Sequence, residues 1–550
     1  MNLANLGLSG MLAAQNQLQT TGHNINNADT EGYNRQTVLT ETAGSVNYGS
    51  GFIGRGVKAV TVQRAYDSFL NRQLIEARSQ GAALEAYDNQ IAKVDNLFSD
   101  RSVGVSPALQ KFFDGLQAVA SEPADPAARQ ELLGRSASLV SQLNDANRFL
   151  DEQRENVNTQ VDTVVKQVNS YAERIQDLNN QITTARASGD AHEPNDLLDQ
   201  RDQLFAELSE LIDVRGTEQD GKLNLILGNG QVLLGANRVY PLTTQPSADD
   251  PKRLAVAYTL PGSGSDPTQV EIDEHRIVGG KLGGLLKYRS ESLDPVQNEL
   301  GRLAMGIGHA INDQHADGQD LHGESGGAFF NVGEPGVIPA SSNDTASADP
   351  QVSIDEINDL TAKDYRIEFD GTDFTVKALP DGTAQTVQPG DTEIIDGLDI
   401  TLPGAAHVQE GDSWLIQPTR SGAADIELAI TDPAAIAAGE PGSGSANGEN
   451  ALKLAGLQSK KLLGGGAMSL NESFSQIVNR VGVMTQQNST ALKAQESLIE
   501  QNYAAQQAVS GVNLDEEYVQ LDRYQQQFQA ASRLIDVSSS LFDTVLGLRS

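Results

Sequence analysis

Apolar positions return every seven residues at both ends of the chain. Near the C-terminus Leu521, Phe528, Ile535 and Phe542 form one row, Tyr524, Ala531, Ser538 and Val545 a second, and Leu534, Leu541 and Leu548 widen the stripe. Steps of three and four place such residues on one helix face, the geometry of a coiled-coil seam. Met11, Leu18 and Ile25 make a weaker N-terminal row, with Ala14, Thr21 and Ala28 beside it. The nearest partner for each stripe is the other end of the chain. The pattern predicts a rod whose termini lie together, with everything between them inserted.

Between the ends the same periodicity recurs. Leu70, Ala77, Leu84, Ile91 and Phe98 predict one helix, and Ser106-Pro107 opens another that Pro123 and Pro126 stop. Leu143, Leu150, Val157, Val164, Tyr171, Leu178 and Ala185, with Val161, Val168, Ile175 and Ile182 beside them, predict the longest helix. From Leu139 to Ala185 it would span roughly 70 Å. Ser188-Gly189-Asp190 and Pro194-Asn195 turn the chain into a return helix over Leu197–Ile212, an αα-hairpin. Leu286, Leu293, Leu300 and Ile307 bring back the heptad, and helix fills most of 470–550 with a break at Ser510-Gly511. There the row Ile477, Met484, Ala491, Leu498, Ala505 has a mixed companion: Val481, Asn488, Gln495, Asn502, Val509. Polar residues at seam positions either fix register or mark a solvated edge.

Two stretches read as β. Glycines 221, 228, 230 and 235 punctuate strands at Leu223–Leu227 and Gln231–Leu234, with an exposed loop expected over Pro246–Pro267. Tyr365–Phe369 and Phe374–Lys377 flank Asp370-Gly371 as a hairpin, and Asp381-Gly382 and Asp396-Gly397 mark further turns. A short strand is expected around Val57, Ala59 and Thr61, and a linker over Glu440–Asn450. The fold class is α+β multidomain: a long helical coiled-coil rod built from both termini plus central helices, with inserted β-rich domains. Residues 1–60 with 511–550 make the terminal coiled-coil domain. Residues 61–215 with 280–335 and 450–510 make the helical rod, and 216–279 and 336–449 the inserted β-rich outer part.

Charge narrows the function. A formal charge of −35 offsets no phosphate, which argues against nucleic acid and against anionic membrane as partners. Residues 340–440 hold 20 acidic against 4 basic side chains, whereas the first 28 residues hold no Asp, Glu, Lys or Arg. That contrast fits an exposed middle and ends packed on neighbours. With no cysteine, disulfides and thiolate metal sites are excluded. No stretch reaches the roughly 18 apolar residues of a membrane span, and the N-terminus lacks the basic and apolar regions of a cleaved signal peptide.

Catalytic signatures are missing. No phosphate loop, dinucleotide fingerprint or zinc-protease motif occurs, and Pro194 after His192-Glu193 would break the helix a zinc site needs. Asp313, His315, Asp317, Gly318 and Glu324 match EF-hand positions 1, 3, 5, 6 and 12, but His315 replaces an oxygen ligand and no second helix follows. The stretch reads as a polar helix-to-strand turn. No catalytic residue, metal or cofactor is expected; the chain is an assembly protein and not an enzyme.

Three motifs carry a resemblance. Gly22, the run Asn24 to Thr30, and Gly32-Tyr33-Asn34-Arg35-Gln36 resemble the signature shared by rod, hook and hook-associated proteins. Pro194-Asn195-Asp196-Leu197-Leu198-Asp199-Gln200-Arg201-Asp202 is similar to a segment more particular to the flagellar hook-associated protein 1 family. Ser510-Gly511-Val512-Asn513-Leu514-Asp515-Glu516-Glu517, with Leu521 and Tyr524-Gln525, resembles the closing motif of flagellar axial proteins. Glu31 departs from the family, which often has proline there. The resemblance implies a structural ring subunit at the hook–filament junction of the bacterial flagellum, needed for flagellum assembly and motility. Its partners would be other copies, hook protein, the second junction protein and a cytoplasmic export chaperone on the C-terminal helix. The resemblance also implies an extracellular location reached by type III export without a cleaved signal peptide. The subunit interface is expected at Met11, Leu18, Ile25, Leu521, Tyr524, Phe528, Ile535, Phe542 and Val545. The rival readings are a flagellin-like filament subunit and a type III-exported adhesin or tip protein.

Overall fold

The computed structural model describes residues 3–47, 51–99, 104–188, 192–235, 237–259, 269–380 and 382–548. Gly189-Asp190, Asp381 of an expected turn, and most of the predicted loop between Thr259 and Pro267 lie outside them. Helices α1 (Leu3–Asn26) and α11 (Leu514–Gly547) pack along each other. They run antiparallel, since Gly7 lies against Ala531 and Ile535 while Asn24 bonds Glu517. Next to α1 lies an antiparallel ribbon of Gln36–Thr42 and Val57–Arg64, which contains the strand expected at Val57, Ala59 and Thr61.

Helix α2 (Ser68–Ser99) enters the rod and pairs along most of its length with α10 (Leu470–Ser510). The mixed seam of α10 resolves here. Asn488 donates to Leu84 O at 3.0 Å and Asp88 Oδ1 at 3.1 Å, Gln495 to Ala77 O at 2.8 Å, and Asn502 to Gln73 O at 3.4 Å. Each amide is tied to one turn of α2, so the polar seam fixes register. The break at Ser510-Gly511 separates α10 from α11, where Asn513 caps the new helix with bonds from Asp515 N and Glu516 N.

After α3 (Val105–Ser121), α4 runs over Pro126–Ala187, 62 residues or about 93 Å. It starts thirteen residues before the predicted Leu139, because Asp125 is an N-cap and Pro126 suits the first helical position. Helix α5 (Asn195–Leu211) closes the predicted hairpin. Helix α6 (Gly280–Tyr288) continues through a π turn at Arg289–Leu293 into α7 (Asp294–Ala316), and Leu286, Leu293, Leu300 and Ile307 are all 0–1% exposed. The short α8 (Gly422–Asp425) and α9 (Glu449–Gly456) complete the helices.

The two β regions differ from each other. In the first, Val214–Gln219, Lys222–Leu227 and Val232–Leu234 form one antiparallel sheet, and Leu242–Pro246, Leu254–Thr259 and Gln269–Glu271 another. The expectation of an exposed loop over Pro246–Pro267 fails at Leu254–Thr259, a strand with Ala255, Val256 and Ala257 buried. Three asparagines of α4 clamp this region: Asn158, Asn169 and Asn179 each pair both amide atoms with backbone at Lys252/Leu254, Leu242 and Leu223. Its leucines share the helical core. The described strands of this region thus pack against the long helices and share their core, rather than forming a separate β core as expected. The second region has its own core. A five-stranded sheet in the order Gly336–Pro339, Ser413–Gln417, Asp364–Phe369, Phe374–Leu379, Ala384–Val387 packs Tyr365, Ile367, Phe374, Ile416 and Trp414. The expected hairpin is present, with Gly371 at φ 93° in its turn.

A charge cluster joins this second β region to the long helices. Asp294, at the start of α7, accepts from Arg154 at 2.7 Å and Arg420 at 3.2 Å, and is also paired with Arg253. Arg420 in turn reaches Asp364, the first residue of the central strand of the five-stranded sheet. Burial alone would raise the Asp294 pKa, but Arg420, Arg154 and Arg253 hold it well below the carboxylate range.

Candidate assembly site

The three motifs quoted from the sequence, far apart in the chain, meet at one place. Asn24, in the last turn of α1, donates to Gln36 O at 2.9 Å and to Glu517 Oε2 at 3.1 Å, while its Oδ1 accepts from Gln36 N at 2.9 Å and Tyr33 OH at 2.7 Å. One buried amide thus folds the N-terminal turn back and ties it to α11. Arg35 completes that tie through Glu517 at 2.7 Å and Glu516 at 2.9 Å, and its N–H donates to Ser510 O at 2.8 Å at the α10–α11 break.

The middle motif holds the other side. Asp196, Asp199 and Asp202 recur at steps of three, which puts them on one face of α5. Asp199 accepts from Asn34 N at 3.0 Å, Asn34 Nδ2 at 2.7 Å and Arg64 at 2.8 Å; Arg64 also reaches Asp202 at 2.8 Å, and Gln36 reaches Asp196 at 2.7 Å. Burial pushes the Asp199 and Asp202 carboxyls up, partly offset by these donors. Burial also raises the Tyr33 hydroxyl, and Asp196, Asp199 and Glu517 add to it. Gly32, at φ 78°, makes the turn and lies against Gln203. A cavity of about 570 Å³ opens beside it, lined by His23, Tyr33, Arg174, Asp177 and Asp196 among others. Among the described residues no three His, Asp or Glu side chains are grouped to hold a metal.

Arg64, stacked over Tyr66 at 4.1 Å, is the residue that sequence reading passed over. Its signal was charge: three carboxylates on one face of α5 need cations, and the one on the same helix, Arg201, reaches only Asp202, at 3.8 Å.

The predicted interface residues divide into two groups. Met11, Leu18, Ile25, Leu521, Tyr524, Phe528 and Ile535 are half-buried in the α1–α11 pair. Phe542 and Val545 are 61% and 63% exposed, and Leu541, Leu546 and Leu548 beside them are exposed too. Antiparallel pairing explains the division, because α11 is longer than α1 and its last turns run past the start of α1. The calcium-loop match dissolves in the structure. Asp313 and His315 lie within α7, and His315 Nδ1 donates to Gly327 O at 2.7 Å while Nε2 accepts from Ala437 N at 2.8 Å. Burial keeps that ring neutral.

Paired terminal helices, long central helices and a separate β core define the class, an elongated helical structural protein. Profiles of known families assign it further. "Flagellar hook-associated protein FlgK helical domain" matches residues 91–330, and "Flagellar hook-associated protein 1, D2-like domain" matches 338–418. "Flagella basal body rod protein" matches 2–34, and "Flagellar basal body rod FlgEFG protein C-terminal" matches 505–548. The flagellar hook-associated protein 1 of Salmonella typhimurium is 38% identical and that of Escherichia coli 36%, with all of each chain covered. The flagellar hook junction protein FlgK of Burkholderia pseudomallei matches with TM-score 0.75 at 28% identity, covering 80% of this chain and 100% of its own. The chain belongs to the flagellar hook-associated protein 1 family.

Proposed function

We propose that the chain is a structural subunit of the bacterial flagellum that forms the junction between hook and filament, and that contact rather than catalysis is its task. Residues 1–60 with 511–550 serve as the axial unit, the long helices as the rod around it, and residues 336–449 as the outer domain. Subunits close into a ring, with hook protein on one side and the second junction protein on the other. An export chaperone covers the C-terminal helix beforehand, and export proceeds through the type III route without a cleaved signal peptide.

The observation that carries this reading is the exposed apolar end of α11, joined through Glu517 to a tightly bonded junction of the N-terminal and α5 motifs. An apolar stripe of this kind needs cover, and terminal helices that pair over hundreds of intervening residues gain order on meeting neighbours. A rise in helix content by circular dichroism on assembly is the expected sign; fully ordered ends in dilute monomer contradict the coupled ordering. The decisive experiment is genetic. In a flagellated strain lacking its own hook-associated protein 1, this chain restores filaments on bare hooks in electron micrographs, and Phe528→Asp does not, although its rod stays folded. Filament protein spilling into the medium despite the intact chain would sink the reading.

A further inference from the structure

Six arginines among the described residues are buried, and five of them are bonded. Arg129 donates to the carbonyls of Pro123, Pro433 and Ile436, and Arg154, Arg201, Arg289 and Arg420 each reach a carboxylate. Arg302, on α7 and only 8% exposed, is the exception. Its Nε has no hydrogen-bond partner, and among the described residues no hydrogen bond or ion pair reaches its other nitrogens. Glu299, one turn back, is the charge that acts on it, but that carboxylate bonds Arg480 at 2.7 Å. Burial pushes the Arg302 pKa down, and Glu299 offsets only part of that. Two guanidinium groups thus share one carboxylate.

The surroundings are a basic stretch of an acidic chain. Four residues either side of Arg302 on the same helix face, Asn298 donates to Asp364 and Gly306 lies against Leu463. Arg302 therefore sits where α7 runs between the five-stranded sheet and the connection from α9 to α10. That connection reaches the sheet's side through Gly465 N, which donates to Asn358 O at 2.7 Å. From Asn450 to Asn471 the chain holds Lys453, Lys460 and Lys461 and no acid. Lys453 pairs with Glu440, while Lys460 and Lys461 are exposed and make no ion pair among the described residues. Glu472, the next acid, feels Lys461 but bonds its own cap residue, Ser469.

We propose that Arg302 is an oxyanion site, which takes a phosphate-class ion or a carboxylate of a second copy on its guanidinium. A buried charge without a partner is strongly unfavourable, and the other five buried arginines show how this fold avoids one. An oxyanion accepts the paired N–H donors of a guanidinium in the bidentate manner that arginine favours. Lys460 and Lys461 add a positive field on the same side of the chain. Seated there, the anion ties α7 to the α9–α10 connection, beside the joint to the five-stranded sheet.

The test uses the full chain, with inorganic phosphate as the probe. Phosphate is expected to raise the urea midpoint of the parent above its value in chloride at matched ionic strength. Arg302→Met should lose that response and bind phosphate about tenfold more weakly or worse in a calorimetric titration, the share of one charge-assisted contact. Arg302→Lys should keep part of it. In chloride Arg302→Met should be at least as stable as the parent, because Met fills the space of the stem and carries no charge. A clear loss of stability there means that the guanidinium already has a partner in the chain, and overturns the proposal. An equal phosphate response of parent and Arg302→Met overturns it too. A parent indifferent to phosphate removes the free ion as the source. The carboxylate of a second copy is then supported if folded Arg302→Met fails to enter flagella while Arg302→Lys enters them; normal entry of Arg302→Met overturns the site altogether. The phosphate measurements are made on the dilute chain and do not depend on the junction reading.

Discussion

The cluster around Asp294 and the far end of α11 place charge and apolar surface in opposite ways. At Asp294 three arginines from α4, the Leu242–Thr259 strand pair's connection and the segment before α8 converge on one carboxylate, and the neighbouring leucines are closed to solvent. Beyond Ser538, α11 shows Leu541, Phe542 and Val545 to solvent beside Asp543, which makes no ion pair among the described residues. The first region is complete in one chain. The second, on the junction reading proposed above, is half of an interface. The difference is one of stability against assembly, because a group satisfied internally holds the fold, and one left open is available to a neighbour.

Substitutions separate the two. Asp294→Ala has the largest expected effect, since it takes the shared buried carboxylate from Arg154, Arg253 and Arg420, leaving Arg154 with no carboxylate partner; a loss of about 3–5 kcal/mol in urea unfolding is expected. Asp199→Ala comes next. It removes the acceptor for Asn34 and Arg64 and should cost about 2 kcal/mol, read locally as faster hydrogen exchange at Asn34–Gln36 while α4 stays protected.

Acid tests the core from another side. The folded-state pKa of His315 is depressed by burial, so its contribution is fully present above the unfolded value of about 6.5 and is lost as pH falls. Asp294 is likewise depressed, and its contribution disappears only in stronger acid, below the unfolded value of about 3.9. Stability measured against pH should fall first below about 6.5, where His315 and His309, both depressed by burial, take up protons, with a limiting slope of about 1.4 kcal/mol per pH unit for each. His315→Gln should remove its own part of that first decline.

Smaller effects probe the seam and the overhang. Asn488→Leu removes a register bond to α2 and adds apolar surface; stability should change by about 1 kcal/mol or less, while alternative α2–α10 registers become detectable by site-specific crosslinking. Phe542→Ser should leave unfolding within about 0.5 kcal/mol of the parent, because the ring is exposed, yet abolish incorporation into flagella. A large loss of monomer stability from Phe542→Ser would mean that the end of α11 is packed inside the chain, and the contrast would collapse.

Helix periodicity was legible wherever one face of a helix is buried along its whole length, as for Leu143–Ala185 and Leu286–Ile307. It failed for the start of α4, where Asp125 and Pro126, a cap and a first-turn residue, read on their own as a break. It also failed at Leu254–Thr259, a short strand whose Ala255, Val256 and Ala257 have no periodic neighbours among glycine, proline and acid. The site was half legible. The residues of the three motifs stood out as words, and the apolar stripe as a seam, but the bonds among Asn24, Arg35, Asp199 and Glu517 link positions up to 493 apart in the chain.

The helical rod, the paired ends and the acidic β middle follow from spacing, composition and turn residues that act over a few positions. It took the folded chain to show that Asn158, Asn169 and Asn179 hold the first β region to α4, that Arg64 answers the carboxylates of α5, and that α11 outruns α1. Those outcomes depend on which surfaces meet and in what register, and such pairings between distant segments leave no local period to read.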